Sequence, residues 1–173
     1  MSLQALKDQL PDTAKDIKLN VASALESDTL TTEQAWGTAV AVAYAMGNKD
    51  FYTQVVTEAA EHIDDTHINA AKTAASLMNM NNIYYRFVHL VENPEYGKMP
   101  ARLRMNGMTS HGIAKADFEL YSLAISAING CGLCMASHEK MLKKEGISSQ
   151  QVQDAVRIAA ILHAAAKTLE LEG

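Results

Sequence analysis

From Thr66 to about Val91 apolar residues recur at helical intervals, with Ile68, Ala71, Ala75, Met78 and Ile83 on roughly one face. A stripe of that length is buried by packing one long helix against others. No segment of the chain sustains the period-2 alternation from which a half-buried sheet is built. Local signals agree. Only 9 Gly and 3 Pro occur, both below average usage, and the alanine-rich segments favour helix. "TTEQAWGTAVAVAYAMGN" opens with a capping box from Thr31 to Gln34 and stops near Gly47-Asn48. Further helices are expected from Asp50 to about Ile63, Lys115 to Ile128, Gly132 to Lys144 and Ser149 to Leu171, the last behind a capping box from Ser148 to Gln151. The stretch "NPEYGKMPARLRMNGMTSHG", residues 93–112, breaks the periodicity. Neither flank holds a complete core, so this is an internal loop. The expected fold is all-α, a single domain over residues 1–173 with about seven to eight helices.

A faint repeat crosses the loop. "QAWGTAVAVA" at Gln34 resembles "ELYSLAISAI" at Glu119, and "IDDTHINAAKTAA" at Ile63 resembles "ISSQQVQDAVRIAA" at Ile147, both at an offset of about 85 residues. Two copies of a helical unit, roughly residues 31–92 and 114–171 joined by loop 93–113, would account for it. Met46 of the first copy stands where the second has Cys131, which assigns any cysteine chemistry to the second.

Charge and hydropathy narrow the function. A net charge of -5 gives no reason to expect nucleic acid or an acidic membrane surface as partner. Stretches such as "AVAVAYAM" are too short to cross a bilayer, and "MSLQALKDQLPDTAKDIKLN" has no signal-peptide core. A cytoplasmic location is expected, where a close cysteine pair means redox chemistry or metal more often than a structural staple.

Both cysteines lie in "NGCGLCMASHEK", residues 129–140. Asn129-Gly130 ends one helix and "CGLC" opens the next, so unpaired amides and the helix dipole favour thiolate there, below the free value of roughly 8.5. Cys131 and Cys134 stand three apart in the first turn, and His138 follows Cys134 by one further turn, placed to accept or hold a proton. Zinc is the rival use. It needs about four ligands, and Cys131, Cys134 and His138 supply three unless Glu119 joins them. Glu119 lies amid Phe118, Leu120, Tyr121 and Leu123. Pattern alone leaves it either solvent-facing or a buried proton carrier. His62, His67, His89, His111 and His163 are taken as ordinary histidines. Because Cys134 sits deeper in the helix, it is expected to face an apolar pocket, and the outer Cys131 to meet a bulky reductant.

"KADFELYSLAISAINGCGLCMASHEKML" resembles the signature of the alkylhydroperoxidase D family: a glutamate, then CxxC, then a histidine four residues on. "LPDTAKDIKLN", "QAWGT", "MNMNNIYYR" and "RLRMN" resemble family segments across the rest of the chain. The resemblance implies a duplicated all-helical fold, usually a homotrimer, and a lipoyl-dependent antioxidant peroxidase acting on organic hydroperoxides. It also implies a partner peroxiredoxin, alkyl hydroperoxide reductase C, which the protein reduces. Electrons would come from dihydrolipoamide on the lipoyl-bearing acyltransferase of a 2-oxoacid dehydrogenase complex, recharged by lipoamide dehydrogenase; neither metal nor bound cofactor is implied. Carried over by position, Cys134 is the peroxidatic thiol that becomes sulfenic acid, and Cys131 is proton donor and resolving thiol. His138 and Glu119 form the proton relay. Leu133 stands where some members have a histidine. The wider family includes carboxymuconolactone decarboxylase-like proteins, which generally lack the cysteine pair, so the pair argues against decarboxylation. Two alternatives from other classes stand beside this expectation: a thiol-disulfide adaptor without significant peroxidase activity, and a zinc-stabilised helical interaction protein.

Overall fold

The computed structural model describes residues 3–172. Nine α-helices and no strand occur among them: α1 (Leu3–Gln9), α2 (Lys15–Ser23), α3 (Thr32–Ala45), α4 (Lys49–Ala59), α5 (Asp65–Leu90), α6 (Pro94–Lys98), α7 (Lys115–Ile128), α8 (Gly132–Lys144) and α9 (Ser149–Glu172). Short 3-10 turns lie at Asp12–Ala14 and Asn106–Met108.

Side chains fix most helix starts. At α3 the expected capping box forms: Gln34 N–H donates to Thr31 Oγ1 at 3.2 Å, and Thr31 N–H to Gln34 Oε1 at 3.2 Å. Ser148 and Gln151 repeat the exchange before α9. Asn48 and Asp64 cap α4 and α5 by accepting from the amides of Phe51 and His67. Each pairing satisfies a donor that would otherwise be orphaned in the first turn.

The middle of the molecule is α3 beside α7. Residues 34–43 of α3 and 118–126 of α7 are buried without interruption, so both helices are enclosed on every side. Small residues permit the close approach. A Cβ on Gly37 would collide with the ring of Tyr121, which is fully buried and donates its hydroxyl to Glu33 O at 2.7 Å. Burial pushes the Tyr121 phenol well above its ordinary range. Around this pair, α5 packs on both helices, α9 does likewise, and α8 lies against α7 and α5. Asp154 of α9 is buried and fastens the loop before α3, accepting from Ser27 Oγ at 2.8 Å and Thr29 Oγ1 at 2.6 Å. Burial alone would raise the Asp154 carboxyl. The hydrogen bonds from Thr29, Ser27 and Gln150, together with Arg157, outweigh that and hold it below its usual value.

The all-α fold is as expected, and two details of it are corrected. The nine helices among the described residues include α1 and α2 in the charged N-terminal segment and α6 inside loop 93–113. Leu3, Leu6 and Leu10 supply an apolar stripe that the intervening charges obscure, and all three are buried. The helix expected to reach Ile63 ends at Ala59. Ile83 is 64% exposed, so it does not share the buried face of α5. Five residues beyond Met78 is well over a quarter turn off the stripe, which continues instead through Asn81 and Asn82.

Candidate active site

The cysteine pair is placed by a sharp helix-to-helix turn. At the end of α7, Gly130 adopts the left-handed conformation (φ 65°), Gly130 N–H donates to Ala127 O, and Cys131 N–H donates to Ser126 O. This is a Schellman closure, and it leaves Cys131 as the N-cap of α8 at once. α5 clamps the turn. Asn129 Nδ2 donates to Asn82 Oδ1 at 3.1 Å and to Asn79 Oδ1 at 3.2 Å, Asn82 Nδ2 donates to Ser126 Oγ, and Arg86 donates to Asn129 O.

Cys131 and Cys134 are joined in a disulfide, their Cα atoms 5.2 Å apart. Cys134 N–H points at Cys131 Sγ, 3.3 Å away, so the capping sulfur receives the field of the helix start. Cys134 faces an apolar cavity, as expected, but the outer position expected of Cys131 is not found. Cys131 is 0% exposed, whereas Cys134, at 7%, lines a cavity open to solvent. A capping side chain lies at the covered turn, while Cys134 begins the buried stripe of α8 that continues through His138 and Leu142, and reaches the cavity from there. Cys131 is therefore not the outer sulfur.

Glu119 and His138 come together beneath that cavity. Each is 7% exposed, and His138 Nδ1 lies 2.6 Å from Glu119 Oε2. The solvent-facing option for Glu119 is set aside by this burial. The carboxylate accepts from Nδ1–H, which fixes the ring and turns Nε2 toward Met78 Sδ, 3.3 Å away. His138 and Cys134 both border the cavity, of about 310 Å³. Its apolar walls are Met78 from α5, Met105 and Met108 from loop 93–113, and Leu133. Leu133, at the position where some family members carry histidine, is 43% exposed at the rim.

The arrangement holds a sulfur at an apolar cavity, a second sulfur within bonding reach, and a buried carboxylate–imidazole pair to move protons. The structure brings together all four residues singled out in the sequence. Sequence reasoning gave Met78 only a place in the core and missed Asn81 and the loop methionines, although Met78, Asn81 and Tyr85 share one α5 stripe, and the loop looked like a mere interruption. Of the other histidines, His62 stacks on Trp36, His67 contacts Asp64, and His111 stacks on Phe118. Burial lowers the His111 imidazole against the opposing pull of Glu119. Among the described residues no three His, Cys, Asp or Glu side chains converge as a metal would require.

Known proteins resemble this chain along its whole length. The carboxymuconolactone decarboxylase family matches residues 94–171. Alkyl hydroperoxide reductase AhpD of Rhodospirillum centenum is 51% identical over 99% of the chain and 92% of its own length. The AhpD proteins of Maricaulis maris, 51% identical over 99% of both chains, and Solibacter usitatus, 50% identical over 99% of this chain and 97% of its own, are as similar. With the cysteine pair, glutamate and histidine brought together as described, the chain belongs to the alkyl hydroperoxide reductase AhpD family.

Proposed function

We propose that the protein is a lipoyl-dependent thiol peroxidase that reduces organic hydroperoxides through the Cys131–Cys134 pair. The observation that carries this reading is the meeting of Cys134 with an apolar cavity directly over the buried Glu119–His138 pair. In the reduced protein, His138 takes the Cys134 proton, and Glu119 stabilises the imidazolium. The thiolate attacks the distal peroxide oxygen, the O–O bond breaks, and the departing alkoxide takes a proton from Cys131. Cys131 thiolate then attacks the sulfenic sulfur of Cys134. An S–S bond forms, and hydroxide leaves as water with the proton held by His138.

Reopening needs a dithiol. With Cys131 covered, the incoming thiolate of dihydrolipoamide attacks Cys134, and Cys131 leaves as the thiolate best supported by the helix start. The second lipoyl thiol then displaces Cys134 and closes the lipoyl disulfide. The sum is hydroperoxide plus dithiol giving alcohol, water and disulfide. No resident metal or cofactor takes part. The same dithiol chemistry would let the protein reduce a partner peroxiredoxin, alkyl hydroperoxide reductase C, with electrons from the acyltransferase-borne lipoyl group, in the cytoplasm.

A homotrimer belongs to the same proposal. Ile83, Phe87 and Leu90, exposed by 64%, 46% and 66%, leave the far half of α5 with an uncovered apolar face. Light scattering is expected to give the mass of three 18.8 kDa chains, and a single-chain mass at micromolar concentration refutes it.

Thiol counting separates the redox use from the zinc use. After reduction, the purified protein should show both thiols by titration and no stoichiometric zinc. One equivalent of cumene hydroperoxide should then remove both. Stoichiometric zinc, or thiols that survive the peroxide, contradict the proposal.

A further inference from the structure

Asn81 lies one helical turn beyond Met78 and borders the same cavity as Cys134 and His138. It is 5% exposed, and its Oδ1 is buried without a hydrogen-bond partner among the described residues. Buried amides are normally satisfied. The next residue shows the contrast: Asn82 is 0% exposed and uses its amide fully, donating to Ser126 and accepting from Asn129. Asn81 has no such duty in the fold, and an apolar side chain of its size would suit the surrounding methionines better. The amide fits a ligand that carries a hydrogen-bonding head into an apolar space.

We infer that Asn81 binds and orients the hydroperoxide head. This rests on the peroxidase reading above. A hydroperoxide offers one O–H donor and two acceptor oxygens on an apolar tail. Asn81 Oδ1 has no accessible surface as the amide stands, and a turn of the amide about χ2 brings it to the cavity. There Oδ1 accepts from the O–H, and Nδ2 donates to the proximal oxygen, with the tail lying along Met105 and Met108. That pose presents the distal oxygen to Cys134. As the O–O bond breaks, the Nδ2 donor meets the charge growing on the leaving alkoxide. His138 serves the thiol side of the reaction and Asn81 the peroxide side. Binding of this kind selects organic hydroperoxides over hydrogen peroxide, which has no tail for the methionine wall.

The test uses Asn81→Leu and Asn81→Ala, with the two half-reactions followed separately by stopped flow and melting temperature alongside. Oxidation of the reduced variants by cumene hydroperoxide is expected to slow by about tenfold or more. Reopening of the disulfide by dihydrolipoamide should stay within about twofold of the parent, and Asn81→Leu should melt no lower than the parent. Oxidation as fast as the parent's overturns the inference. Equal slowing of both half-reactions, or a large loss of melting temperature in both variants, also overturns it, because either shows a structural amide. Failure of the unaltered protein to consume cumene hydroperoxide is a different result, which refutes the peroxidase reading itself.

Discussion

Cys134→Ser is expected to consume no hydroperoxide and to yield no sulfenic acid, whereas Cys131→Ser should react once and stop. In the latter, dimedone labelling and mass spectrometry should find the adduct on Cys134. Two effects compete over which sulfur attacks. The helix start favours Cys131, whose Sγ faces the Cys134 amide at 3.3 Å, and a lowered thiol pKa there is the usual mark of the nucleophile. Access favours Cys134, because Cys131 has no exposed surface and Cys134 borders the cavity. Access decides, since nucleophilicity is of no use to a sulfur the peroxide cannot touch. The support given to Cys131 suits its other roles, as proton donor and leaving thiolate. Labelling at Cys131 in Cys134→Ser, with none at Cys134 in Cys131→Ser, would reverse the order.

Glu119→Gln should leave the fold intact and lower peroxidase turnover by roughly 10²-fold or more, the usual scale of general acid-base assistance. Glutamine matches glutamate in shape and retains an acceptor for His138 Nδ1–H, so the ring stays in place. What it lacks is the negative charge. In a site only 7% exposed at both residues, water cannot substitute for that charge, and the imidazolium formed as Cys134 loses its proton goes uncompensated. A melting curve matching the parent's alongside unchanged turnover would reduce Glu119 to a packing residue.

Much of this was legible before the structure. The Asn129-Gly130 stop placed the end of α7 at Ile128 and the start of α8 at Gly132, as expected, because that turn is closed by local hydrogen bonds. The CxxC and His138 were legible for the same reason, being neighbours on one helix. Glu119 was not decidable, since its burial depends on what covers α7. The cavity was less visible still, because its walls come from α5, α8 and loop 93–113. Asn81 illustrates the limit: a polar residue on a buried stripe means nothing until the opposite wall is known. The exposure of Cys131 was misjudged for a related reason. Position along α8 says how deep a residue is in the helix, but not that the turn before it is clamped to α5 and that the first sulfur has no exposed surface.

The most direct measurement is steady-state reduction of cumene hydroperoxide by the unaltered protein, supplied with dihydrolipoamide and, separately, with thioredoxin. Multiple turnovers with dihydrolipoamide, abolished in Cys134→Ser, are the predicted result. Disulfide reduction by dihydrolipoamide without peroxide consumption would make the protein a thiol-disulfide adaptor and contradict the account.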